Sequence, residues 1–531
     1  MKDRPIVRPA TGGVCWEHTF DTFRLKVYVP DNDLNGRVND YCFRAPLLTV
    51  FEEREQDMDS AVRFARESGL AACAARADSS VLFVYPVNER GWAGADISLY
   101  REYIANVKMI PVYEDGIVAD DNFFTGRFEG YFIRGAKFRT DIYSFGASAD
   151  YTAKYLLDTV EGEYLWGPGE ITPAVCSMER LGIVPDVKRK DIAVISVGNS
   201  DEINAAFEGS SDVLIKDKAD YEADFMNFVR RYKMWCGKME TEPDLDALGM
   251  TEEAGAVTVK TSPDNRNISA AERPAHDVGY FAYYNKGLFD KGAVPLVIGL
   301  HGGGDSSLFF TFVTGWWQIA HDNGFLFVSL DDHLSVTATE IIEVIEHLKQ
   351  RYPIDTHRIY ATGFSMGSGK TWDLFQQYPE VFAGVMPASA LFPVYTTFYG
   401  EPVPESSLNR DVPLPVFYSG GEDSHLPELP FQNETCLERA VYAAGVNRVK
   451  ARFDSLRFAD RDSWDDRIWG IKGDRVEKLY DPDRDSTLTV NYYDSEDGIC
   501  RTAFASVSGQ VHEFRLHSAR AAWDFISKFT R

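Results

Sequence analysis

Short apolar runs bounded by turn residues punctuate the second half of the chain: Val294-Pro-Leu-Val-Ile-Gly-Leu300, Gly324-Phe-Leu-Phe-Val-Ser-Leu330, Arg358-Ile-Tyr-Ala-Thr362 and Leu414-Pro-Val-Phe-Tyr-Ser419. Runs of this length without polar alternation predict strands covered on both faces, as in a parallel sheet. Between them the period changes. Ile341, Ile342, Val344, Ile345 and Leu348 form a stripe at helical spacing within Thr337 to Arg351, and Lys370 to Tyr378 carries a second, shorter one. Strands alternating with helices of this length predict an α/β fold with a doubly wound, mostly parallel sheet. Further on, Leu488 to Tyr493 and Ile499 to Val507 flank Ser495-Glu-Asp-Gly498, which predicts a hairpin with an Asp-Gly turn.

The first half repeats the plan more faintly. Arg44 to Glu52 matches Ala293 to His301, Ser80 to Pro86 matches 324 to 330, Asp141 to Asp150 matches Arg358 to Gly367, and Ile192 to Asp201 matches Leu414 to Asp423. Four matches in the same order predict an internal duplication, with two tandem α/β domains. The polar stretch Ser262 to Ala275, rich in Pro, Asn and Ser, reads as the seam. The expected domains are 1–258 and 259–531.

A length of 531 residues suits two domains, and 44% apolar residues with 13% aromatics give each a core to bury. Against 81 Asp and Glu stand 55 Lys and Arg, a net charge of −26 that would repel a phosphate backbone, so nucleic acid is not expected as a partner. Seven dispersed cysteines without a C-x-x-C pair argue against a disulfide framework or structural zinc. The start lacks a signal-like apolar region and no run of about 18 apolar residues could span a bilayer, so a cytoplasmic location and no membrane partner are expected.

Gly363-Phe-Ser-Met-Gly367 is a G-x-S-x-G match between a predicted strand and a predicted helix. A serine at such a turn needs small residues two positions to either side, where a Cβ would strike the neighbouring strand and helix. Ser365 would then stand at a helix N-terminus as a nucleophile, with the Met366 N–H beside it to receive an oxyanion. His301-Gly-Gly-Gly304 ends the strand at 294 to 300, and its Gly302 and Gly303 amides are the expected second half of that oxyanion hole. In chain order a carboxylate and then a histidine should follow. Gly420-Gly-Glu-Asp423 ends a strand and offers Asp423 as the acid, with Glu422 as the fallback. Of the histidines downstream, His512 follows a strand end with a Gly turn and is the preferred base, with His517 the alternative. Trp316 and Trp317 follow the glycine loop and could wall a substrate pocket, although buried core is the commoner fate of such residues. Two look-alikes fail on spacing. Gly363 to Thr371 ends like a phosphate loop, but Phe364 stands where its first glycine belongs, and 481 to 492 lacks the glycine and glutamate of a calcium loop.

These segments, with the ending Ala521 to Phe529, resemble the α/β-hydrolase branch that contains polyhydroxybutyrate depolymerase-like and feruloyl-esterase-like serine esterases, over about residues 277 to 531. The resemblance implies a serine hydrolase cleaving small or oligomeric carboxylic esters through an acyl-enzyme, with no metal or organic cofactor. A prolyl-oligopeptidase-type peptidase and a non-catalytic pseudo-hydrolase remain alternatives. In the first half Glu52-Glu-Arg-Glu55 stands where the glycine loop would be, Asp150 replaces the second elbow glycine, and no histidine follows Ser148 before His276. That domain is expected to be inert and to shape substrate entry or homo-oligomer contacts.

Overall fold

The computed structural model describes residues 6–31, 45–107, 133–163, 168–235, 237–266, 271–303, 305–331, 336–396, 402–482 and 484–531. The chain divides into two compact units, Met1–Pro243 and Asp244–Arg531. In the first, strands β1 (Val14–Thr19), β2 (Phe23–Val29), β3 (Pro46–Phe51), β4 (Val81–Pro86), β5 (Ala136–Phe145), β6 (Val175–Glu179), β7 (Ala193–Val197) and β8 (Val213–Lys216) form one sheet in the order β1-β2-β4-β3-β5-β6-β7-β8. From β4 to β8 every neighbouring pair is parallel.

The second unit repeats that order and extends it. Strands β9 (Met250–Lys260), β10 (Ala275–Asn285), β11 (Val294–Leu300), β12 (Leu326–Leu330), β13 (Ile354–Phe364), β14 (Gly384–Ala388), β15 (Val416–Gly421), β16 (Arg475–Asp481), β17 (Ser486–Asp494) and β18 (Cys500–Val507) lie in the order β9-β10-β12-β11-β13-β14-β15-β18-β17-β16. β12 to β18 pair in parallel, whereas the outer β9-β10 and β16-β17-β18 pairs are antiparallel. The architecture is therefore tandem α/β, and the registers make the two units comparable residue by residue. Leu300 pairs with Gly363 and Phe364 with Ala388 in the second; Phe51 pairs with Ser144 and Phe145 with Glu179 in the first.

Central strands are buried along their whole length, which explains their uninterrupted apolar sequence: Leu296, Ile298, Leu300, Val328 and Ala361 are all fully buried in one core. The helix Ala338–Arg351 buries Ile341, Val344, Ile345 and Leu348 against it and opens with a reciprocal cap between Thr337 and Glu340. Glu340 also explains the polar stretch read as a seam. Its carboxylate, fully buried, accepts from the Ser262 N–H (2.7 Å) and from Asn265 Nδ2 (2.9 Å), so Ser262 and Asn265 follow β9 inside the second unit. The boundary falls earlier, after Pro243.

Burial pushes the Cys15 and Cys73 thiols up to about 11, so both stay protonated at neutral pH. No helix among the described residues is long and apolar enough to cross a membrane. On the helix Glu434–Val446, Gly445 is exposed, and a methyl group added there would meet nothing within 4 Å. Gly445→Ala is expected to stabilise the second unit by about 0.5 kcal/mol, read as a higher midpoint in urea unfolding.

Candidate active site

Ser365 caps the helix Met366–Gln377 directly after β13, with φ 53° and ψ −114°. A side chain held there costs about 1–3 kcal/mol and persists only where its surroundings over-determine it. They do. The Ser365 N–H donates to the Ala388 carbonyl (3.0 Å), and its own carbonyl accepts from the Gly369 N–H (3.1 Å). The flanking glycines are dictated by contact: a Cβ on Gly363 would lie 2.1 Å from the Gly367 carbonyl oxygen, and one on Gly367 would lie 2.0 Å from that of Leu300. The turn thus presses strand, helix and neighbouring strand together, with the Ser365 hydroxyl left partly accessible.

His512 comes from the connection between β18 and the helix Leu516–Ile526. Its Nε2 lies 2.9 Å from Ser365 Oγ, and its ring packs on Phe364 with centroids 4.9 Å apart. Gly421 permits this approach, because a Cβ there would stand 2.4 Å from the Gln510 carbonyl oxygen. The buried Glu513 carbonyl accepts from Ser389 Oγ (2.9 Å) and Gln510 Nε2 (2.9 Å), fixing the loop from below. His517 sits half-buried in the following helix, where burial lowers its pKa, and it is not the histidine that reaches Ser365.

The carboxylate beside His512 is not the one expected. Glu428 Oε1 lies 2.5 Å from His512 Nδ1, and Glu428 Oε2 accepts from the Gly421 N–H at 2.6 Å. Asp423 is exposed, its backbone N–H donating to the Gln510 carbonyl (3.0 Å). Glu422 is taken up elsewhere, accepting from Ser506 Oγ (2.9 Å) and pairing with Arg467 (3.1 Å). The reason is the path of the chain: after β15 it runs outward through 422–427 and returns at Glu428, where Tyr418 Oη donates to the Glu428 carbonyl and the Glu428 N–H to Gln432 Oε1. A signal was present in the sequence. Glu428 is the lone charge in Leu426-Pro-Glu-Leu-Pro430, and a carboxylate in so apolar a run is buried only with a partner.

Met366 is the first residue of its helix, so its N–H has no partner within the helix and stands beside Ser365. Facing it, the end of β11 is anchored by buried His301, whose Nε2 lies 2.6 Å from the Asp331 carbonyl oxygen and whose Nδ1 lies 2.8 Å from that of Gly302. Burial lowers the His301 pKa against the pull of those two carbonyls. Gly302 lies against Phe364, where a Cβ would come within 2.7 Å of the ring. Gly304 lies outside the described residues. Trp316, expected as a pocket wall, is instead fully buried and stacks on Phe327 (5.7 Å, 11°) as a core residue. Trp317 is half-buried and tilts against Phe312.

The first unit keeps the backbone of this site with a glycine at the place of Ser365. Register places Gly146, not Ser148, at the elbow: Gly146 has φ 51° and ψ −118°, and its N–H donates to the Glu179 carbonyl as that of Ser365 does to Ala388. Ser148 is the counterpart of Gly367, and its buried Oγ donates to the Phe51 carbonyl at 2.6 Å. Among the described residues no group of three or more His, Cys, Asp or Glu side chains is placed to hold a metal ion.

No family model matches the chain. A bifunctional acetylxylan esterase/xylanase, XynS20E of Neocallimastix patriciarum, is 31% identical over 104 residues, 18% of this chain and 16% of that protein. The chain thus matches only about one sixth of the length of that curated relative. Among solved structures, an acetyl xylan esterase from Aspergillus awamori is 12% identical with a TM-score of 0.33, over 51% of this chain and 99% of the other. A ferulic acid esterase is 12% identical with a TM-score of 0.29, over 52% and 98%. A thermostable esterase is 19% identical with a TM-score of 0.27, over 36% and 52%.

Proposed function

We propose that the second unit is a serine hydrolase that cleaves carboxylic esters through an acyl-enzyme on Ser365. The observation that carries this reading is the continuous hydrogen-bonded line from Ser365 Oγ through His512 to the buried carboxylate of Glu428, set on a strained turn. Such an arrangement moves a proton without moving the groups. His512 Nδ1–H donates to Glu428, which fixes the tautomer with a bare Nε2. That nitrogen takes the Ser365 proton as Oγ bonds to the ester carbonyl carbon, and Glu428 stabilises the resulting imidazolium. Negative charge gathers on the former carbonyl oxygen, where the Met366 N–H and the Gly302 and Gly303 amides are the proposed donors. As the carbon–oxygen bond to the alcohol breaks, His512 Nε2–H protonates the leaving oxygen. Water, deprotonated by the same nitrogen, then releases the acid and restores Ser365.

The name of the curated relative makes a xylan-bound acetyl ester the first substrate class to try, and the resemblance of the motifs to feruloyl-esterase-like enzymes adds a feruloyl ester beside it. A fluorophosphonate probe followed by peptide mass spectrometry is expected to place one adduct on Ser365. In parallel, acetyl, longer acyl and feruloyl esters should turn over faster than short peptide amides. An adduct elsewhere, or no adduct with the chain folded, overturns the reading; faster amide cleavage turns it into a peptidase.

A further inference from the structure

The inert elbow of the first unit does not close over. A cleft of about 390 Å³ opens at the ends of β3, β5 and β6, where the second unit carries Ser365, and falls within the range of about 300–1,000 Å³ of small-molecule sites. Its lining includes Glu52, Phe64, Phe145, Glu179, Arg180 and Tyr221. Arg180 holds φ 55° at the position where the second unit has Ser389 at φ 57°. Arg180 thus holds a left-handed backbone that costs a residue with a side chain, and such strain persists at sites that hold something. Glu52 adds a buried carboxylate to the lining: it is 1% exposed, its Oε2 is paired with buried Lys26 (2.7 Å), and the Gln56 N–H is the other group that approaches it, which leaves acceptor capacity for a ligand hydroxyl.

We propose that this cleft binds a neutral polyhydroxylated ligand, a sugar unit or a short oligosaccharide. Charges of both signs line it: Arg180 pairs with Glu53 (3.0 Å) and Glu179, Tyr221 Oη donates to Glu179 Oε2 (3.1 Å), and exposed Arg54 adds a cation. An anion drawn to Arg54 would also meet Glu52, Glu53 and Glu179, and a cation would meet Arg54 and Arg180, whereas hydroxyls add donors and acceptors beside both signs without burying a further charge. Burial already pushes the Glu52 pKa up, which disfavours a second anion there. Phe64, Phe145 and Tyr221 cluster with ring centroids 5.7–6.4 Å apart and offer apolar surface to the C–H faces of a sugar ring. The inference rests on the first unit alone and does not depend on catalysis at Ser365.

The test is calorimetric titration of the full chain carrying Ser365→Ala with glucose, xylose, cellobiose and xylobiose, with argininamide and inorganic phosphate as charged comparators. Trp92, whose Nε1 donates to the Glu52 carbonyl, reports the same site by fluorescence. Saturable sugar binding is expected, weakened at least tenfold by Arg180→Ala and by Glu179→Gln. Either change, made with Ser365 intact, should leave hydrolysis of a small soluble ester unaltered. Tyr221→Phe, which keeps the ring and removes one donor, should weaken binding without altering the melt, and it stands in if either other variant unfolds. No saturable response to any of the four sugars, a response indifferent to all three variants, or tighter binding of a charged comparator overturns the proposal.

Discussion

Glu428→Gln is expected to lower kcat for ester hydrolysis by about 10³–10⁴-fold with the fold intact, whereas Asp423→Asn should leave it within about twofold. The direction follows from the two contacts of one carboxylate. Glu428 Oε2 accepts from the Gly421 N–H at 2.6 Å, so the carbonyl oxygen of a glutamine takes that place and its NH₂ turns toward His512 Nδ1. That nitrogen must then accept, which moves the ring proton to Nε2 and leaves Ser365 facing a donor instead of a base. Shape and volume are conserved, so the melting temperature should hardly move, and a large kinetic loss cannot be laid to unfolding. Asp423, exposed and engaged through its backbone, offers no such path. Steady-state rates on one soluble ester for both variants decide the matter: equal losses, or a larger one in Asp423→Asn, would remove Glu428 from the mechanism.

That the carboxylate beside His512 escaped a reading of the sequence, while the approach of His512 to Ser365 did not, has a physical cause. Ser365 announces itself through glycines that contact geometry requires at 363 and 367, and His512 follows a strand end with few rivals. An acid is constrained only to arrive at Nδ1 from any loop that can reach it, so proximity to the end of β15 favoured Asp423 over a residue that returns seven positions after Gly421. The tandem plan is legible because buried parallel strands have no polar alternation to blur them. Its detail is less so: Gly146-Ala-Ser148 imitates a nucleophile turn in the linear alignment, yet the left-handed position is met by Gly146 itself, and only the strand register shows the two-residue offset. The polar stretch at 262–275 misled for a related reason, since Ser and Asn that feed a buried carboxylate read the same as Ser and Asn that face water.

The same offset predicts what Gly367→Ala does. At that position a Cβ would stand 2.0 Å from the Leu300 carbonyl oxygen and 2.6 Å from that of His301, both backbone atoms of β11 and the glycine loop, which no rotamer change can clear. Strand and helix must separate, at a cost of about 3 kcal/mol or more, which lowers the melting midpoint of the second unit by roughly 6–12 °C. Activity should fall further than stability alone requires, because widening this gap carries Met366 and Ser365 away from His512 and from the Gly302 and Gly303 amides. The first unit shows an alternative with a side chain in place. There Ser148 occupies the equivalent place, and its hydroxyl donates to the Phe51 carbonyl at 2.6 Å, an arrangement that accommodates a side chain but belongs to a turn without a nucleophile. Gly367→Ser is therefore expected to melt higher than Gly367→Ala, by recovering that hydrogen bond, and still to turn over ester slowly. Calorimetry and ester kinetics on the pair separate the two effects. A Gly367→Ala protein with unchanged midpoint and unchanged kcat would mean that the close approach of this helix to β11 is not what holds the nucleophile in place.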